Sequence, residues 1–268
     1  MIRDITIGQY YQTDSVLHRL DPRDKLAGTL IFIISLFVAK NVTSYAVATA
    51  FLIAVILLSK VPMSFILRGM KAVVIILLIT VLFNLFLTPG ITFVSFWKIR
   101  ITYEGMKTAA YTAVRLTYLI IGSSLMTLTT TPNNLTDGLE SLMKPLGVFR
   151  VPVHEIAMMM SIALRFIPIL MEETDKIMKA QLSRGADFES GGLIKRSKAL
   201  IPLLVPLFVS AFRRANDLAM AMEARCYHGG KGRTKMKPLV YRGSDYIAYA
   251  VIIMYFVLIV IAQRVGML

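Results

Sequence analysis

VTSYAVATAFLIAVILLS, residues 42–59, runs for eighteen residues without a charged side chain. At about 1.5 Å of rise per residue, a helix of that length covers about 27 Å, close to the ~30 Å hydrocarbon core of a bilayer. Four other runs read the same way: LAGTLIFIISLFVA at 26–39, AVVIILLITVLFNLFLT at 72–88, the stretch 108–131, and YIAYAVIIMYFVLIVIA at 246–262. Lys40-Asn41 makes a tight turn between the first two, and Pro89-Gly90 stops the third. The first run is short for a full crossing, so it borrows flanking residues or thins the bilayer locally. An all-α integral membrane protein with about five transmembrane helices is expected.

The charge must then be placed. The chain has 30 Lys and Arg against 16 Asp and Glu, a formal charge of +14. Such a balance alone suggests a nucleic-acid binder. However, only 17% of residues are charged, against about a quarter in soluble proteins, and the mean hydropathy is +0.65. Counted by connection, an N-inside topology puts 24 of the basic residues inside and five outside, with Arg115 within the fourth run. That asymmetry sets orientation and explains the charge without nucleic acid. The expected division is a cytoplasmic N-terminal segment 1–25, four spans within 26–131, a cytoplasmic or interfacial region 132–243, and a last span within 244–268 with the C-terminus outside. Residues 1–25 hold four aspartates and no small-residue cleavage site follows the first run, so no cleavable signal is expected. One cysteine, Cys226, excludes a disulfide framework and a Cys-based zinc site.

Residues 132–243 are too long for a loop and too charged, by composition, to read as spans. Asn134 to Met143 is amphipathic, with Leu135, Leu139 and Leu142 on one side, and suits the membrane surface. A long helix is expected over 153–182, apolar first and charged later, bent at Pro168 and ended by Ser183-Arg184-Gly185. A second is expected over 193–227, again apolar first, with Pro202 and Pro206 early and His228-Gly229-Gly230 at its end. The two echo each other: Ile177, Ala180, Ser183 and Arg184 align with Leu218, Ala221, Ala224 and Arg225. Two readings stand side by side. Each arginine stabilises the C-terminal dipole of its own helix, or each is a prong whose planar fork enters an acidic groove on a partner.

Nine of the sixteen methionines lie in the same region, including Met158, Met159 and Met160. They serve helix packing or a surface that accepts several partners. Ala46, Ala50 and Ala54 form a small-residue stripe on the second span, with a helix of the same chain as the expected neighbour and another subunit as the alternative. Arg115 snorkels to the outer interface or pairs with a polar group. The runs hold no Asp or Glu, which counts against a self-sufficient proton-coupled secondary transporter. No phosphate loop is present: Gly229-Gly230-Lys231-Gly232-Arg233 lacks the spacing and reads as a flexible linker. The three histidines, His18, His154 and His228, lack metal-ligand spacing, and no nucleophile stands out.

The stretch Leu17-His18-Arg19-Leu20-Asp21-Pro22-Arg23, followed by Lys25, resembles the opening of the transmembrane T component of energy-coupling factor (ECF) transporters. Ser183-Arg184-Gly185 and Ala224-Arg225-Cys226 look like that family's paired X-Arg-X motifs, with Ser and Cys where Ala and Gly are common. The resemblance covers essentially the whole chain. It implies a non-catalytic scaffold of an ABC-type importer in a prokaryotic plasma membrane. Two cytoplasmic ATPase subunits, which hold ATP and magnesium, would bind the tips of two crossed coupling helices. An interchangeable membrane-embedded S component would capture a vitamin or a similar micronutrient, with Met158–Met160 as a contact. This chain itself needs no cofactor or metal. A dedicated nickel or cobalt importer has a related T component and is the nearer alternative. Read from its own residues, Asp21-Pro22 suits a helix start, and Arg19, Arg23 and Lys25 suit anionic headgroups.

Overall fold

The computed structural model describes residues 10–71, 73–89, 91–96, 99–188, 192, 194, 198–230, 236 and 238–265. The chain divides into two compact units: one of residues 6–142 and 239–268, the other of residues 1–5 and 143–238.

The first unit is a helical bundle. A single turn, α1 (Val16–Arg19), leads into α2 (Pro22–Val38), α3 (Val42–Ser59), α4 (Met63–Lys71), α5 (Val74–Leu87), α6 (Tyr103–Thr129) and α7 (Pro132–Met143), and α10 (Gly243–Val265) closes it. The Lys40-Asn41 turn forms as expected, with Asn41 at the N-cap of α3. α10 packs on α2 and α3, and α6 packs on α2 to α5. The core joins Phe32 and Leu36 of α2, Tyr45, Ala48 and Leu52 of α3, and Tyr255 and Ile259 of α10. Ser35 and Ser44 are fully buried, small residues that let helices approach closely in a membrane protein. The Ser35 and Tyr255 hydroxyls bond at 2.8 Å across α2 and α10.

Three expectations change. The connection 89–107 holds a two-stranded antiparallel hairpin, β1 (Thr92–Phe96) and β2 (Ile99–Thr102), with Phe96 opposite Ile99. The alternating β-branched residues of TFVSF and IRIT favour it. The fold is otherwise all-α among the described residues. The alanine stripe does not meet a helix of this unit: Ala46, Ala50 and Ala54 are all exposed, because α3 turns the Tyr45, Ala48 and Leu52 line inward. Finally, the helices long and apolar enough to cross a bilayer among the described residues are α3, α10 and, in the other unit, Val153–Ser183. The pair α4–α5, bent by 63°, counts as a fourth if it forms one span. Val153–Ser183 passes because its charges gather in its second half, so that its apolar window reaches a mean hydropathy of 1.6.

The second unit is built on two helices, α8 (Val153–Ser183) and α9 (Ile201–Ala224), preceded by a 3-10 turn, Lys144–Phe149. α8 runs unbroken through Pro168. α9 begins eight residues later than the hydrophobic pattern suggests. Pro202, which has no N–H to donate, sits in its first turn, where that donor is not needed. Leu193 and residues 195–197 of the expected helix, and residues 231–235 of the expected linker, lie outside the described residues.

Candidate functional site

The two helix tips have one and the same hydrogen-bond pattern. At the end of α8, Arg184 N donates to Gln181 O, Gly185 N to Leu182 O and Ala186 N to Gln181 O, each at 3.0 Å. At the end of α9, Arg225 N donates to Met222 O at 3.1 Å, Cys226 N to Glu223 O at 2.8 Å and Tyr227 N to Met222 O at 3.0 Å. Both are Schellman caps, in which the residue after the C-cap takes a left-handed conformation. Gly185 fills that position at φ 85° and Cys226 at φ 56°. An L side chain there costs about 1 kcal/mol, so Cys226 holds at some expense the shape that Gly185 adopts freely. Arg184 and Arg225 are the C-cap residues. Both are exposed, and among the described residues neither forms an ion pair.

The tips lie at opposite ends of an antiparallel pair. The Gln181 amide near the end of α8 donates to Pro202 O at the start of α9, at 3.3 Å. At the other end, Gly230, beyond α9, packs on His154 at the start of α8. A Cβ at Gly230 would lie 2.5 Å from the imidazole, so the close approach requires glycine. Between them Arg214 Nη2 donates to Glu173 Oε2 at 2.9 Å. Glu173 and Arg214 are forty-one residues apart, the offset that also relates Arg184 to Arg225. The ion pair therefore joins equivalent positions of the two helices, and each arginine lies eleven residues, or roughly 16 Å, past it. The sequence echo stopped short of this pair; extending it four residues back from Ile177 and Leu218 reaches Glu173 and Arg214.

The N-terminal motif sits in the other unit and is consumed internally. Asp21 caps α2 by accepting from Arg23 N at 2.9 Å, and Pro22 takes the first helical position. Arg23 returns Nε and Nη2 to the Asp21 carboxylate, both at 3.0 Å, and its guanidinium lies 3.9 Å from the Tyr241 ring centre. Asp245, 1% exposed, accepts from Asp21 N at 3.1 Å and from Arg242 N at 2.6 Å, and so ties the start of α2 to the start of α10. Asp245 was not singled out in the sequence, where it is a lone acid before an apolar run. Asp24 is buried beside Tyr249 and Asp245, and burial pushes its carboxyl up to about 6. Lys25 Nζ donates to Thr129 O at 2.9 Å and His18 O at 3.3 Å. His18 bonds Ser15 Oγ at 2.6 Å and Tyr11 O at 3.0 Å, and burial lowers its pKa. Arg19 pairs with Asp14 at the surface, Nε to Oδ1 at 2.7 Å.

A family model described as cobalt transport protein matches residues 13–236. A Clostridium kluyveri protein named energy-coupling factor transporter transmembrane protein EcfT is 56% identical over 250 residues, covering 92% of this chain and 93% of its own. A Heliobacterium modesticaldum protein of the same name is 52% identical over 264 residues, covering 98% and 99%. Its Bacillus subtilis namesake is 51% identical over 249 residues, covering 91% and 93%. The chain belongs to this EcfT family. It is a membrane-spanning component of an energy-coupling factor transporter.

Within this EcfT-family chain the remaining candidates fall on different sides. Arg115 does not snorkel. Its Nε donates to Leu36 O and to the Tyr45 hydroxyl, both at 3.1 Å, and Nη2 donates to Ala39 O at 3.3 Å. It therefore satisfies the carbonyls that the end of α2 leaves open and is structural. Met159 and Met160 are 58% and 37% exposed, a surface rather than a packed core.

Proposed function

We propose that this chain is the non-catalytic coupling subunit of an ECF importer in a prokaryotic plasma membrane, with its N-terminus cytoplasmic. Two ABC-type ATPase subunits, which hold ATP and Mg2+, seat on the Arg184 and Arg225 tips. α8 and α9 carry their motion to a separate membrane-embedded S component that captures a vitamin or similar micronutrient. One observation carries this reading: two identically capped, exposed arginines stand at equal distances along their helices from one ion pair between equivalent positions. That arrangement suits two copies of one partner. A solvated helix end needs neither the repetition nor the symmetry.

The apolar halves of both helices support a membrane-side contact. Leu204, Val205, Phe208 and Phe212 of α9 are 47% to 69% exposed, and with Met159 and Met160 of α8 they offer the S component an adaptable face. The 24 basic residues on the N-terminal side support the orientation. A dedicated cobalt or nickel importer is the second reading, favoured by the description of the matching family. The relatives at about half identity carry the ECF name without a metal, which favours the vitamin reading.

The test is Arg184→Glu with Arg225→Glu in the assembled transporter. ATPase co-purification and vitamin uptake should both fall to background. Intact assembly and uptake in the double variant would refute the coupling role.

A further inference from the structure

The helical bundle contains an apolar cavity of about 270 Å³ that the coupling role does not use. Phe51, Leu52, Leu125 and Val251 line it together with Leu17 and Leu20 of the N-terminal motif, and Asp24 and Lys25 are among its few polar neighbours. Phe32 and Ile252 line it as well. They come so near Gly122 and Gly28 that a Cβ on either glycine would lie 2.7 Å from the facing side chain. An apolar cavity of about 150 Å³ already excludes water and accepts a hydrocarbon the size of benzene. A larger one in a membrane-spanning chain calls for an apolar occupant. Between the lining residues Ser244 and Ile252, α10 advances eight residues, or roughly 12 Å. That is less than one leaflet's share of the ~30 Å hydrocarbon core.

The cavity is not sealed. Among its lining residues Val16, Leu58, Ile247 and Val251 are 42% to 68% exposed, an apolar mouth between α1, α3 and α10. Beside that mouth the polar surface is cationic. Lys60 follows Leu58 by two residues at the left-handed end of α3. Arg19 follows Val16 by three and, with help from Lys60, holds the Asp14 carboxylate below its usual range. One acid against two cations leaves a surplus positive charge where an apolar opening meets the headgroup region.

We propose that this cavity holds one acyl chain of an anionic phospholipid from the leaflet on the N-terminal side, with its phosphate at Lys60 and Arg19. The motif then divides three ways, with Arg19 at the phosphate. Leu17 and Leu20 face the lipid chain, while His18, Asp21, Arg23 and Lys25 fix the turn that presents them. Anionic lipid is selected over zwitterionic because only the former supplies the net negative charge that the mouth lacks.

The full chain purified in detergent, titrated with phosphatidylglycerol or phosphatidylcholine and followed by native mass spectrometry, tests this. Wild type should retain one phosphatidylglycerol, with about tenfold weaker retention of phosphatidylcholine. Ala248→Phe, which fills the cavity from α10, should lose the bound lipid at unchanged unfolding temperature. Val55→Phe fills it from α3 and serves if the first variant is unstable. Lys60→Gln should retain lipid but lose the preference for phosphatidylglycerol. Retention of the lipid by both folded filling variants, or equal retention of the two lipids by wild type, would overturn the proposal. So would loss of S-component assembly in Ala248→Phe with lipid retention intact, because the cavity would then receive a protein side chain.

Discussion

The N-terminal motif and the helix tips are both arginine-rich, and the structure uses their arginines in opposite ways. Arg23 spends its guanidinium on Asp21 and on the Tyr241 face, and Arg19 pairs with Asp14. At the tips backbone bonds alone close the caps, while both arginines stay exposed. A helix end needs a left-handed residue and two bonds from the backbone, and both tips have those without their arginines. The arginine side chains are therefore surplus to folding, whereas those of the motif are part of it.

Several variants probe that contrast. The largest effect is on function without folding: the double charge reversal at Arg184 and Arg225 should abolish ATPase co-purification while the unfolding temperature of the isolated chain stays within a degree or two. A matching loss of stability would place the tips with the motif. Next comes Asp245→Ala, which leaves the buried Asp21 N–H and the part-buried Arg242 N–H unpaired and should cost about 3 kcal/mol, read as a lower unfolding midpoint with ATPase binding retained by the folded fraction. Arg115→Met follows at about 2 kcal/mol, since it exposes two helix-end carbonyls to an apolar environment. Reversing the Glu173–Arg214 pair should cost under about 1 kcal/mol, because the pair is a third exposed, while each single reversal loosens the pairing of α8 with α9 more than the double. Smallest are the cap residues. Gly185→Ala should destabilise its tip by about 1 kcal/mol and Cys226→Gly should gain up to as much, measured by amide exchange at residues 181–186 and 222–227.

Much of this was legible in the residues. Val42–Ser59 formed with the bounds its composition set, because nothing polar interrupts it and Asn41 and Lys60 flank it. Asp21-Pro22 opened α2 because capping chemistry is local. The tips were located by glycine and by the echo between the helices. What stayed hidden was whatever depends on a distant partner. Asp245 reaches Asp21 across 224 positions, and Arg115 reaches Leu36 across 79. The alanine stripe was misread because spacing identifies a face but not its neighbour. The hairpin at Thr92–Thr102 was missed because short alternating segments give a weak signal beside long apolar runs.

The ion pair of Glu173 and Arg214 has a mechanical consequence. The two tips lie on opposite sides of that ion pair at equal arms, like the two seats of a see-saw. Equal sideways pushes in opposite directions at the tips turn the paired helices about the middle as one body. Equal pushes in the same direction work against the pairing instead and open the angle between the helices. Such an arrangement responds to the relative direction of two pushes as well as to their size.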